Sequence, residues 1–212
     1  VDLEAVVDDF LSTHSRDLIA IRDHFKRARQ LLWLLHRDIF QTSEAGQLGR
    51  YRAAQSQLSV VLQDGTYNCI SSALLYMVVA RAVGLQALGV KLPHHAYIEL
   101  RLPDGRRLDV ETTAARGVMS PRGPDWFRSQ SGRWGRSRGL RPPTWQQYQR
   151  RQIVQPLRLV ADNMNNQHTA ANRMPAADNR RLRELRGELL PRSRDAQLYR
   201  LHALGSERNE MH

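Results

Sequence analysis

At 212 residues, with 41% hydrophobic residues and a single cysteine, the chain can bury a core large enough to fold without disulfides. No run approaches the roughly 20 apolar residues that cross a bilayer, and the opening VDLEAVVDDF is acidic and amphipathic rather than a signal peptide, so the chain reads as soluble. A net charge of +11 invites a polyanion, but only Lys26 and Lys91 are lysines among 32 basic residues, an arginine skew that base composition produces without a selected partner.

Leu3, Val6, Val7, Phe10 and Leu11 recur at helical spacing over Val1–Ser12, and Ile21, Phe25, Leu31, Leu32, Leu35 and Ile39 do so over Arg16–Phe40. Thr42 or Ser43 could cap a third, short helix running through Val61, and Asp64-Gly65 marks a turn. From Cys69 to Val83 the apolar residues form a wide buried stripe, with Gly84 where a left-handed cap belongs. Three runs of strand type follow, ALGVKL, HAYIELRLP and RRLDVETT, the last two joined by the hairpin signal Pro103-Asp104-Gly105.

Ala114–Pro143 is rich in Gly, Pro, Ser and Arg, and its length argues for a functional loop carrying Trp126, Phe127 and Trp134. Thr144 could cap a helix holding Trp145, Tyr148 and Ile153, and Pro156 can start another. Two leucine stripes, Leu182 to Leu189 and Leu198 to Leu204, mark two more. The expected organisation is a helical N-terminal layer over 1–62, a core over 63–113, a basic loop over 114–143 and a helical tail over 144–212. Val1 in place of methionine suits a piece of a longer protein, so the compartment is left open between cytoplasm and a periplasmic or secreted location.

A thiol attacks as its thiolate, and a helix N-terminus or an imidazolium is what lowers its pKa. Cys69 follows a turn and opens the most apolar helix, where it meets the positive end of the dipole and N–H groups able to hold an oxyanion. An imidazole and a third, orienting group are then required. A strand begun at His95 turns at Asp104-Gly105 and returns through Asp109 and Glu111. These two carboxylates share a face because strand side chains alternate with period two, so either is admissible beside His95.

YNCISSALLYMVVARAVGLQALGV followed by HAYIELRLPDGRRLDVETT resembles the core of transglutaminase-like cysteine proteins, over Gly65 to Thr113. There a helix-leading Cys, a HAW-type strand and a DPT-type strand supply a Cys-His-Asp triad. The resemblance implies an α+β, papain-like fold in which the Cys-bearing helix packs on a small antiparallel sheet. It implies Cys69 as nucleophile, His95 as base and acid, and Glu111 where the family has Asp, with Asp109 as the alternative third member. Tyr97 replaces the usual Trp, and Tyr67, Asn68 and Gln63 are positional candidates for the oxyanion or substrate contacts. NCISSALLY, the ETT ending and the tail are similar to a bacterial subgroup in which such a core precedes tetratricopeptide-like helices.

The implied chemistry is thiol acyl transfer on a protein or peptide amide, hydrolysis favoured over transamidation, with no cofactor and no metal. A non-catalytic scaffold that recruits a protein through the helical tail is the rival from another class. Nucleic-acid binding through Arg128–Arg141 is a third reading, and nucleic acid is not the expected partner.

Overall fold

The computed structural model describes residues 2–41, 50–120, 123–125, 127, 143–170 and 176–190. Outside them lie the Thr42 or Ser43 cap, Trp126, Trp134, the arginines of 128–141 and the stripe at Leu198–Leu204. The chain divides into two compact units, 1–156 and 157–212.

The first unit begins with two helices, α1 (Leu3–Ala20) and α2 (His24–Asp38). Asp2 caps α1 by accepting from the amides of Glu4 and Ala5, and Asp23 caps α2 by accepting from that of Lys26. The break falls at Ile21–Asp23, not near Ser12 as the periodicity suggests. Ser12 donates its hydroxyl back to the Asp9 carbonyl at 2.8 Å, so this small polar residue continues the helix instead of ending it. Arg27 then takes up the carbonyls left at the helix ends, donating to Ile19, Ile21 and Val83 at 2.9 to 3.0 Å.

A seven-residue helix, α3 (Leu58–Asp64), ends on Gly65 at φ 73°, where a Cβ would lie 2.9 Å from the Ile39 carbonyl oxygen. Helix α4 (Cys69–Ala82) is buried on nearly every side, as its composition demands, with Val78 and the C-terminal Arg81 and Ala82 exposed. It packs on α2 and lies across the two central strands of the sheet.

That sheet is antiparallel throughout, in the order β4-β3-β2-β1-β5: β1 (Gln86–Leu92), β2 (His95–Arg101), β3 (Arg107–Val110), β4 (Val118–Met119) and β5 (Gln152–Val154). Pro93 and His94, the latter at φ 61°, turn β1 into β2, and Gly105 at φ 81° turns β2 into β3. Val90, Leu92 and Tyr97 form one apolar cluster with Phe127 and Tyr148, and Met119 and Trp145 pack against it. Thr144 caps a short α5 (Trp145–Gln149) with Gln147 closing the box, as its sequence suggests. Ile153 is not in that helix: it pairs with Val90, because β1 offers an unpaired edge there. In the second unit the described residues form α6 (Pro156–Ala170) and α7 (Ala176–Leu189). No helix among the described residues is long and apolar enough to cross a membrane.

Candidate active site

Asn68 fixes the start of α4. Its Oδ1 accepts from the amides of Ile70 and Ser71 at 3.1 and 2.9 Å, while Ser71 Oγ accepts from the Asn68 amide at 3.0 Å. Its Nδ2 donates to the Ala53 carbonyl and to Ser56 Oγ, tying the cap to the segment before α3. Cys69 is therefore held at the first helical position, half-buried, and its amide has no acceptor within the helix.

His95 opens β2, and its side chain is 7% exposed. Its Nε2 donates to Glu111 Oε2 at 2.6 Å, and Glu111 itself is 1% exposed. The other ring nitrogen is left for Cys69, which lies close enough for thiol and imidazole to shift each other's ionisation. Tyr97 stacks beside the imidazole, ring centroids 6.2 Å apart.

Burial alone would push the Cys69 thiol up. The hydrogen bond with His95, the imidazolium charge and a hydrogen bond from the Ala96 amide outweigh it, and the thiol lies below its ordinary pKa even against the repulsion of Glu111. Burial would push His95 down, but the Glu111 carboxylate and the Cys69 sulfur raise it to about 10. Both shifts favour the same species, a thiolate beside an imidazolium.

Glu111 lies just past the end of β3, in a turn that other segments hold in place. Thr113 donates to Glu111 Oε1 twice, from its amide at 3.2 Å and its hydroxyl at 2.6 Å. Thr112 Oγ1 shares a 2.9 Å hydrogen bond with Ser72 Oγ, one turn along α4 from Cys69, and the Thr112 carbonyl accepts from His36 Nε2 of α2 at 2.9 Å. Gly117 closes the turn: its carbonyl accepts from the Glu111 amide at 2.9 Å, and a Cβ there would lie 2.0 Å from the Glu111 oxygen. None of Ser72, His36, Thr112, Thr113 or Gly117 is singled out by the sequence reading. The available signals were a serine in an apolar helix one turn after the cysteine and a histidine in the apolar stripe of α2.

Asp109 keeps different company. It pairs in register with Glu99, accepts a hydrogen bond from the Tyr148 hydroxyl at Oδ2, and its Oδ1 has no partner among the described residues. Arg151 donates to Glu99 at 3.2 Å and lies over the Tyr148 ring. Burial raises Asp109 to about 6, with the Glu99 and Glu111 charges adding to it, against the Tyr148 bond and the Arg151 charge. The oxyanion candidates are dispersed. Tyr67 is a core residue packed between Phe40 and His36, its hydroxyl donating to the Thr113 carbonyl at 3.4 Å, the Asn68 side chain is engaged in the cap, and Gln63 is exposed on α3.

The family model described as transglutaminase-like superfamily matches residues 2–155. The chain belongs to the transglutaminase-like superfamily. The matched span takes in α1 to β5, the sheet and all of Cys69, His95 and Glu111. No curated protein and no solved structure shows significant similarity to the chain. As a transglutaminase-like domain of mixed helix and antiparallel sheet, it comes from a superfamily that is generally enzymatic and whose activities include thiol-dependent acyl transfer and peptide cleavage.

Proposed function

We propose that this transglutaminase-like domain is a papain-like thiol hydrolase of amide or peptide bonds, working through Cys69, His95 and Glu111. The observation that carries the reading is His95 beside both others, 2.6 Å from Glu111 and close enough to Cys69 for the two to shift each other's ionisation. Cys69 Sγ attacks the carbonyl carbon, and the developing oxyanion is met by the free Cys69 amide and the N-terminal dipole of α4. The imidazolium passes its proton to the leaving nitrogen as the C–N bond breaks, giving a thioester and a free amine. Water then attacks, His95 takes its proton, and the C–S bond breaks to return the thiolate with a carboxylic acid. Glu111 stays ionised throughout, keeping His95 in orientation and stabilising its charged form. An amine in place of water would give transamidation. Water is the acceptor chosen, because the bacterial members this sequence resembles are more often peptidases or amidases.

Iodoacetamide tests the reading without a known substrate. Alkylation of Cys69 at pH 6 to 7 should exceed that of a free thiol and fall about a hundredfold in His95→Ala. Cys69→Ala should abolish both labelling and hydrolysis of a casein or peptide library. A second reading, a scaffold domain that binds a protein partner without catalysis, is favoured by the commitment of Tyr67 and Asn68 to core and cap. It predicts labelling no faster than a free thiol, unchanged by His95→Ala.

A further inference from the structure

We propose that Thr113 is the positioning residue of this site, holding one oxygen of Glu111 so that the other faces His95. The inference rests on the triad reading above. Glutamate carries one more methylene than the aspartate its family uses, and so one more torsion through which its carboxylate can swing away from the imidazole. Burial makes that freedom costly to leave uncontrolled, because water does not supply donors to a carboxylate 1% exposed. Thr113 supplies two, both to Oε1, and is itself 2% exposed, so bulk water does not readily take the place of its hydroxyl.

Thr113 can do this because its own backbone is held. Its carbonyl accepts from the Tyr67 hydroxyl, while the preceding residue is bonded by Ser72 and His36 from two different helices. The turn carrying Glu111 is thus tied to the helix carrying Cys69, and the hydroxyl of Thr113 sets which carboxylate oxygen faces His95. Without that hydroxyl, the ionised carboxylate loses a 2.6 Å donor at Oε1 and can rotate. The imidazolium is then less well stabilised, and with it the thiolate. Weaker repulsion between Glu111 and the sulfur acts in the opposite direction, but the His95 hydrogen bond outranks it in setting the thiol's ionisation.

The test is the rate of Cys69 alkylation by iodoacetamide from pH 5 to 10 on the full chain, for the wild type, Thr113→Val and Thr113→Ser, with folding checked by circular dichroism. Thr113→Val should react about tenfold more slowly at pH 6 and converge on the wild type near pH 10, where the thiol ionises without help. Thr113→Ser, which keeps the donor, should return the rate to within about twofold. Thr113→Ala, which adds no atom, replaces valine if valine does not fit. A Val or Ala profile superimposed on that of the wild type, or failure of serine to restore it, would overturn the assignment. The underlying triad fails separately: it is lost if the wild type itself alkylates like a free thiol and His95→Ala changes nothing.

Discussion

Asp109 and Glu111 are two residues apart, equally buried and alike in charge, yet their surroundings ask opposite things of them. Glu111 meets two donors from Thr113 and an imidazole, all of which favour its ionised form. Asp109 faces a second buried carboxylate, Glu99, with the Arg151 guanidinium donating to Glu99 rather than to it, and one of its oxygens is bare among the described residues. Its pKa rises to about 6 accordingly. The lesson is that burial by itself does not define a functional carboxylate. The donors brought to it from elsewhere in the chain decide whether it is a fixed charge or a group that takes up a proton.

Three perturbations act on one carboxylate and spare the other. The largest effect is expected from Gly117→Ala, whose added Cβ would overlap the Glu111 carbonyl at 2.0 Å while leaving β3 itself alone. It should cost upwards of about 3 kcal/mol by urea denaturation, since a backbone oxygen cannot move aside as a side chain can. A loss under about 1 kcal/mol would mean that the turn has slack. Next is Glu111→Gln, which keeps the shape and removes the charge. Alkylation of Cys69 at pH 6 should drop about fiftyfold, whereas Asp109→Asn should change it less than threefold. Equal losses would place both carboxylates in one functional unit.

The smallest effect is on stability and carries a pH signature. Because the folded pKa of Asp109 is raised from 3.8 to about 6, its contribution is fully present below pH 3.8 and is lost as pH rises through 6. Asp109→Asn should therefore be more stable than the wild type at pH 8, by on the order of 3 kcal/mol, with the gain shrinking to nothing by pH 4. A gain that is flat with pH would assign the cost to packing instead of ionisation. His95 follows the same sign in a higher window: its raised pKa makes its contribution complete below pH 6.5 and lost as pH climbs through about 10.

Much of this was legible because it is local. Asp64-Gly65 and an apolar run put Cys69 at a helix start, and the Asn68 bond that fixes it there spans only three residues, although the sequence reading takes Asn68 as an oxyanion candidate and not as a cap. Period-two alternation and Pro103-Asp104-Gly105 gave the hairpin and brought His95 near the acidic strand. Other features failed for equally physical reasons. A serine at position 12 looks like a helix break, but its hydroxyl bonds within the helix, and the break falls at Ile21–Asp23, where Asp23 caps α2 and Arg27 takes up carbonyls as far as Val83, 56 residues away. Ile153 has helical spacing with Trp145 and is claimed instead by the open edge of β1.

The sequence by itself determined the helix that presents Cys69, the strand that presents His95 and the pair of carboxylates from which a partner could come, since each depends on neighbours within a few residues. The resemblance points to Glu111 over Asp109, but only the tertiary structure shows what surrounds each. Alternation gives Asp109 and Glu111 the same face, and what separates them comes from outside the hairpin: Tyr148 beside one, His36 and Ser72 bracing the turn of the other. Those contacts close over 39 residues or more of chain, and no local pattern encodes which distant donor arrives.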